Sequence, residues 1–281
     1  MARVPLPSFT HLDRMYWPER GYRKLDLVEY YRRLAPVVLP HIRDRPFTLK
    51  RHYTVPRGPF EWVKDAPREL PASVRRCPQP AKSRGGAFVE YVLVNDLATL
   101  LWMVELGAVD LHVWPSRCDR PDRPDYVLFD LDPAPDGTFA DVVAGALDVR
   151  RALETLGFAS FPRTTGGDGL HVLVPLARRH THEEARRFAR IVAGALRLRR
   201  ARVDTKMIGH GQQLVAAYSV RPLPGAPVAT PLDWDEVDDA LDPSRFDLRT
   251  VPPRVAELGD LHAPLLHGRQ RLDRAFASLA K

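Results

Sequence analysis

The segment YVLFDLDP, residues 126 to 133, decides the predicted fold of this chain of 281 residues. Apolar and aromatic residues lead into Asp130 and Asp132, and Pro133 ends the run, which is typical of a buried strand that ends in two carboxylates. Because side chains alternate across a strand, Asp130 and Asp132 share one face. Such a pair suits Mg²⁺ or Mn²⁺ between its oxygens, although two solvated aspartates before a turn explain this segment equally well.

A glycine-rich turn follows in the segment RTTGGDGLHVLVP, residues 163 to 175. Glycines let the backbone approach a polyphosphate closely, while threonine, histidine and Arg163 offer donors to its oxygens. A carboxylate pair followed by such a turn is typical of metal-assisted phosphoryl transfer.

Hydrophobic patterns on either side predict alternating helices and strands. A helix near residues 25 to 39 should kink or end at Pro36. The segment 70 to 86, rich in proline, glycine and basic residues, predicts a mobile surface loop. Helices are also expected near residues 139 to 156 and 182 to 198, and strands near residues 45 to 53, 88 to 94, 110 to 114, 158 to 162 and 201 to 204. These elements predict an α/β or α+β fold with a mixed, largely antiparallel central sheet flanked by helices.

The charge balance favours a polyanionic partner. Net charge is +7 and the pI is about 9.6, as a phosphate-backbone binder requires, although many basic proteins bind no nucleic acid. No run of eighteen apolar residues and no leader pattern occurs, so we expect a cytoplasmic protein without membrane association.

Aromatic and basic residues alternate in Phe60-Glu-Trp-Val-Lys64. Such residues can stack on bases and hold a phosphate backbone. Packing of Phe60 and Trp62 in the core is the alternative interpretation, and the segment alone slightly favours it.

Three segments, FDLDP, RTTGGDGLHVLVPL and AAYSVRPLPGAPVATPLDW, occur in an order and at spacings that together carry a family resemblance. They resemble the polymerase domain of bacterial ATP-dependent DNA ligase D, an end-joining repair polymerase of the archaeo-eukaryotic primase superfamily. The resemblance runs from about Phe9 to Leu261. It implies one primase-polymerase-like domain over residues 1–261, with an N-terminal lobe of about 1–94, a catalytic core of about 95–261 and a C-terminal helical tail at 262–281.

The resemblance also implies three groups of site residues. Asp204 would complete a catalytic metal site with Asp130 and Asp132, for two divalent cations that are Mn²⁺ or Mg²⁺. The implied nucleotide-binding residues are Arg51, Lys64, Thr165, Gly166, Gly167, His171 and Arg221. The implied DNA-binding residues are Arg14 and Lys24, which would hold a downstream 5′-phosphate, and Trp62, which would stack on the templating base.

Three positions depart from the family pattern. Glu61 replaces the first of two adjacent aromatic residues, while Thr205 and Ile208 stand where an aromatic residue and an asparagine are common.

The implied activity is template-dependent addition of nucleotides, with ribonucleotides preferred over deoxyribonucleotides, to a primer 3′-hydroxyl in non-homologous end joining. The implied partners are gapped or broken duplex DNA with a 5′-phosphate, the Ku protein and an ATP-dependent DNA ligase acting in trans, at the nucleoid.

Two other functions stay open at this point. A catalytically weakened or inactive nucleic-acid-binding module of the same fold would explain the three departures. A metal-dependent phosphohydrolase is suggested by FDLD, which resembles a dehalogenase-type phosphatase loop, but Pro133 and the position deep in the chain disfavour it.

Overall fold

A computed structural model describes residues 3–81, 85–196, 198, 200–273 and 275–276. The strands are β1 (Met15–Trp17), β2 (Tyr22–Arg23), β3 (Pro46–His52), β4 (Phe60–Val63), β5 (Arg76–Pro80), β6 (Phe88–Leu93), β7 (His112–Val113), β8 (Tyr126–Pro133), β9 (Phe161–Thr164), β10 (Leu170–Pro175), β11 (Ala201–Asp204) and β12 (Leu214–Val215). The helices are α1 (Lys24–Ile42), α2 (Leu97–Glu105), α3 (Phe139–Thr155), α4 (His182–Ala195), α5 (Val251–Leu258) and α6 (Ala263–His267).

The chain forms two compact units, each assembled from separate segments. The first unit comprises Met1–Trp114, Gln213–Val228 and Ser244–Glu257. The second unit comprises Pro115–Gln212, Ala229–Pro243 and Leu258–Lys281.

The first unit is built on a sheet with strand order β12-β7-β3-β6-β5, and β4 pairs with β3 on the side. Every strand pair in this sheet is antiparallel. The apolar face of α1, which includes Leu27, Tyr31 and Leu34, belongs to the hydrophobic core of this unit.

The structure corrects two local predictions in this unit. Helix α1 does not end at Pro36 but continues to Ile42, because its buried face, with Ala35 and Val38 beside the proline, offsets the lost backbone hydrogen bond. Part of the predicted loop forms β5, an edge strand in which Cys77 and Gln79 are buried and the prolines alternate outward, as an edge strand allows. Residues 82–84 of that loop lie outside the described residues.

The second unit contains the segment YVLFDLDP as strand β8, inside a four-stranded antiparallel sheet of order β11-β8-β10-β9. Its residues 127–129 and Leu131 are fully buried, and both α3 and α4 contact the strand. Helix α3 begins after Thr138, whose hydroxyl and the carboxylate of Asp141 form a capping box. The predicted strand, both predicted helices and the largely antiparallel α/β fold are therefore confirmed.

Helix α6 falls within the predicted helical tail, of which residues 274 and 277–281 lie outside the described residues. No helix in the described part of the chain combines the length and apolarity needed to cross a membrane.

Candidate functional site

One row of polar side chains crosses all four strands of the second unit's sheet. Asp204 on β11 pairs with Asp130 on β8, Asp130 pairs with His171 on β10, and His171 pairs with Arg163 on β9. Directly paired residues of antiparallel strands share one face of the sheet. The pairing therefore places two carboxylates, an imidazole and a guanidinium side by side.

Hydrogen bonds join three members of this row. Arg163 Nε donates to His171 Nδ1 over 2.9 Å, and His171 Nε2 lies 3.1 Å from Asp130 Oδ1. Arg163 and His171 are 4% and 6% exposed. A guanidinium can only donate, so Nδ1 is the acceptor and the ring hydrogen lies on Nε2, facing Asp130.

Asp132 stands two residues beyond Asp130 in the most acidic part of this face. Burial raises its pKa, and the charge of Asp130 raises it further, with smaller contributions from Asp168 and Asp204. Arg202, whose Nη2 lies 3.5 Å from Asp132 Oδ2, opposes that shift. The sequence interpretation missed Asp168, although it lies in the glycine-rich turn that follows the strand.

The glycine-rich turn is held tightly against the end of β8. The hydroxyl of Thr165 accepts from the backbone N–H groups of Gly167 and Gly169 over 3.2 and 3.3 Å, and Gly166 has a positive φ of 73°. A Cβ on Gly169 would lie 2.7 Å from the carbonyl oxygen of Leu131. Only glycine at position 169 permits this close approach.

The three predicted metal ligands provide a suitable donor set for a hard cation. Carboxylate oxygens are the ligands that Mg²⁺ and Mn²⁺ prefer, and a cation would relieve the repulsion that, after burial, raises the pKa of Asp132. Each carboxylate already has a nitrogen near it: His171 at Asp130, Arg202 at Asp132 and the N–H of Lys206 at Asp204, 2.6 Å away. Among the described residues, no three acidic, histidine or cysteine side chains are close enough to form a metal cage in this arrangement.

A buried carboxylate in the first unit lies near Arg221, one of the predicted nucleotide-binding residues, and near two other basic side chains. Asp110 is fully buried, and its Oδ2 lies 2.9 Å from His112 Nε2, 3.6 Å from Lys50 Nζ and 3.9 Å from Arg221 Nε. Burial raises the pKa of Asp110, but the close approach of His112 and the charges of His112, Lys50 and Arg221 outweigh it and lower the pKa. Asp110 was absent from the predicted site. The sequence could have indicated it only through the position of an acidic residue between two apolar ones, Val109 and Leu111.

Two aromatic side chains on β4 are exposed to solvent beside Lys50 and His112, the basic residues near Asp110. Phe60 and Trp62 are 49% and 48% exposed, so the core interpretation of these residues is wrong. The two rings meet edge to face, with their centroids 6.1 Å apart. Lys50 Nζ lies 4.4 Å from the centroid of the Phe60 ring, and the centroids of the Trp62 and His112 rings are 4.8 Å apart. Because residues two apart share a strand face, Phe60 and Trp62 lie on the same side of β4. Phe60 thus supplies the second aromatic ring that Glu61 lacks.

Two other predicted cations of this unit are paired with glutamates. Lys24 is 5% exposed, and its Nζ lies 2.5 Å from Glu105. Arg51 Nη2 lies 2.8 Å from Glu69, and its Nε donates to a backbone carbonyl.

The last two predicted cations, Arg14 and Lys64, are more accessible. Arg14 donates to the carbonyl of Thr54 over 3.3 Å, and Lys64 is exposed. Within this unit, the structure thus brings Trp62 and Arg221 near Asp110, while Lys24 and Arg51 each have a carboxylate partner.

Comparison with known proteins identifies relatives along most of the chain. Residues 23–262 match the family model described as LigD, primase-polymerase domain. The multifunctional non-homologous end joining protein LigD of Pseudomonas aeruginosa is 30% identical over 286 residues, covering 95% of this chain and 34% of that protein. The bifunctional LigD of Bacillus subtilis is 27% identical, covering 91% of this chain and 43% of that protein. The chain thus spans between a third and a half of the length of these relatives.

A solved structure supports the same relationship. The polymerase domain of Mycobacterium tuberculosis ligase D in complex with DNA superposes with a TM-score of 0.84 at 27% identity, covering 94% of this chain and 99% of that domain.

Proposed function

The chain belongs to the family of LigD primase-polymerase domains and is therefore a polymerase of the nucleotidyltransferase class, and we propose that it extends primers during repair of broken DNA. The proposed substrates are a gapped or broken duplex with a 5′-phosphate and nucleoside triphosphates, with ribonucleotides preferred. In the proposed reaction the primer 3′-hydroxyl oxygen bonds to the α-phosphorus, and the bond to pyrophosphate breaks.

The proposed catalytic centre lies on the acidic face of the second unit. Asp130, Asp132 and Asp204 would hold two divalent cations, Mn²⁺ or Mg²⁺. When bound, such cations supply Lewis acidity to the primer hydroxyl and to the phosphate oxygens. The chain contributes a fixed strand end, with Asp130 oriented by His171.

The proposed nucleotide contacts combine backbone and cationic groups. The tight turn with Thr165, Gly166 and Gly167 suits a triphosphate, because glycines such as Gly166, at a positive φ of 73°, let a phosphate approach the backbone closely. The other proposed nucleotide ligands are Arg51, Lys64, His171 and Arg221.

The proposed DNA contacts lie in the first unit. Phe60 and Trp62 have the exposure that base stacking needs, with Lys50 beside them for the backbone. Arg14 and Lys24 are proposed to hold the 5′-phosphate, which would have to compete with Glu105 for the Lys24 ammonium.

The proposed partners in repair are Ku and an ATP-dependent DNA ligase, at the nucleoid. Support comes from the names of the relatives, which are described as non-homologous end joining proteins.

The observation that carries the proposal is the pairing of Asp204 with Asp130, next to Asp132, inside a chain of this family. Three acidic residues from two sequence-distant strands on one sheet face favour cation-dependent chemistry over a passive binding role.

A primer-extension assay on a gapped duplex with a 5′-phosphate tests this function. NTPs and dNTPs are compared in Mn²⁺ and in Mg²⁺, with Asp132→Ala as the matched variant. Template-directed extension that is lost in the variant is the expected result. Binding of the gapped DNA without extension under any metal would instead support an inactive nucleic-acid-binding module.

A further inference from the structure

We propose that Arg163 is a positioning residue for the catalytic carboxylate Asp130, acting through His171. The inference rests on the proposed function, because it concerns the same cation site. It extends that function by assigning a role to a buried arginine that donates to a side chain next to the site.

The first step of the argument is the location of Arg163. It lies on β9, at one end of the four-stranded order, directly across from His171, which in turn lies directly across from Asp130. Only 4% of Arg163 is exposed. A guanidinium carries an obligatory charge, so its burial is costly unless its N–H groups are bound in a fixed geometry.

The second step is the direction of the two hydrogen bonds. Arg163 Nε must donate to His171 Nδ1, since a guanidinium has no acceptor. Nδ1 then cannot carry a hydrogen, so the ring presents Nε2–H to Asp130 Oδ1 at 3.1 Å. The arginine thereby fixes both the tautomer and the ring orientation of His171.

The third step is the effect on Asp130. One carboxylate oxygen is held by a neutral N–H donor, which leaves the full negative charge and the remaining lone pairs for a cation. Removing a group that contacts a metal ligand directly, as His171 contacts Asp130, typically changes metal affinity about 10- to 100-fold, and Arg163 acts through that group.

Two substitutions test this role, and Arg45 provides a matched control. Arg163→Met removes the donor and keeps an unbranched side chain that reaches as far as the Nε position, while Arg163→Lys retains the charge and a donor without the planar fork. Arg45 in the first unit is also 4% exposed, and it donates to the backbone carbonyls of His41 and Trp114. Arg45→Met therefore reports the general effect of losing a buried arginine.

The first measurement is nitrogen-15 NMR of the ten histidine rings in the metal-free protein at one neutral pH, with His171→Gln to assign the signal. Wild type is expected to show His171 with a bare, accepting Nδ1 and a protonated Nε2. A protonated Nδ1 in the wild type would overturn the proposal without any variant having to fold.

The second measurement is Mn²⁺ affinity by titration calorimetry without nucleotide. Arg163→Met should weaken binding about 10- to 100-fold and lose the His171 signature, Arg163→Lys should lie between it and wild type, and Arg45→Met should match wild type. A folded Arg163→Met with unchanged affinity and an unchanged His171 signal would refute the positioning role while leaving the polymerase proposal intact. A wild type that neither binds Mn²⁺ nor extends a primer would refute the proposed function itself.

Discussion

Replacing Asp132 with asparagine should stabilise the metal-free protein while abolishing its activity. Asp132 and Asp130 lie two residues apart on one strand, a separation of about 6.6 Å. Two unit charges at that distance repel by roughly 0.6 kcal/mol in water and by roughly 2.5 kcal/mol at an effective dielectric constant of 20. Because the Asp132 side chain is 33% exposed and Arg202 offsets part of the repulsion, we expect a gain of about 0.5 to 1 kcal/mol.

The gain should depend on pH with a defined sign. The pKa of Asp132 is raised in the folded protein, first by burial and then by Asp130, so the ionised folded form is the disfavoured one. The advantage of Asp132→Asn should be full above the folded-state pKa. It should shrink as the pH falls through that value, and it should vanish below the pKa of the unfolded chain.

Urea unfolding at pH 7.5, with and without Mn²⁺, checks both parts of this prediction. Wild type should gain stability from Mn²⁺ and Asp132→Asn should gain much less, because a ligand stabilises only the state that binds it. Asp239→Asn, at an exposed aspartate, is the control and should change stability little. A metal-free Asp132→Asn protein less stable than wild type would show that the attraction of Asp132 to Arg202 outweighs its repulsion from the other carboxylates, and would refute the reasoning.

Three further predictions address other parts of the chain. Burial lowers the pKa of His52 in the folded protein to about 4. As the pH falls from 6.5 toward 4, protonation of His52 should therefore lower the free energy of unfolding by up to about 3 kcal/mol, and by less where solvent screens the charge. His52→Leu should remove that slope in urea unfolding, and an equal slope in both proteins would contradict it. Gly169→Ala should reduce the rate of primer extension at least about tenfold, because the added Cβ pushes the turn away from β8. Gly194→Ala is the control and should leave the rate unchanged, since a Cβ there meets open space. Equal rates in the two variants would exclude the close approach at Gly169. Thr138→Ala should lower the free energy of unfolding, measured by chemical denaturation, by about 1 kcal/mol, because it removes the N-terminal cap of α3. Thr155→Ala, at the other end of the helix, is the control, and an equal or larger loss there would argue against the capping box.

Local patterns were sufficient for the strand that holds Asp130 and Asp132 and for the helix that follows it. The apolar run before Asp130 is strand β8, and the amphipathic pattern after Thr138 is helix α3, because strand burial and helix capping are encoded by neighbouring residues. The resemblance to a polymerase family, carried by three short segments, is likewise confirmed along most of the chain.

Features that depend on distant partners could not be predicted in the same way. Pro36 suggested a helix end, yet the buried face of α1 outweighs that preference. The proline-rich segment suggested a loop, yet pairing with β6 makes it β5.

Site residues defined by strand register were equally beyond local patterns. Arg163 was expected to face phosphate, but the register of β9 against β10 places it on His171. Asp110 gains its importance from Lys50 and Arg221, which lie far away in the sequence. The departures at positions 205 and 208 are buried in the structure, so packing explains their apolar or small character.

The most direct test of the central claim is single-nucleotide addition to a labelled primer on a gapped duplex, with each of the four templating bases in turn. Wild type should add the complementary nucleotide on each template, and Asp204→Asn should add none, because the carboxylate paired with Asp130 is lost. Addition that ignores the template, or wild-type rates in Asp204→Asn, would contradict a template-directed polymerase built on these three aspartates.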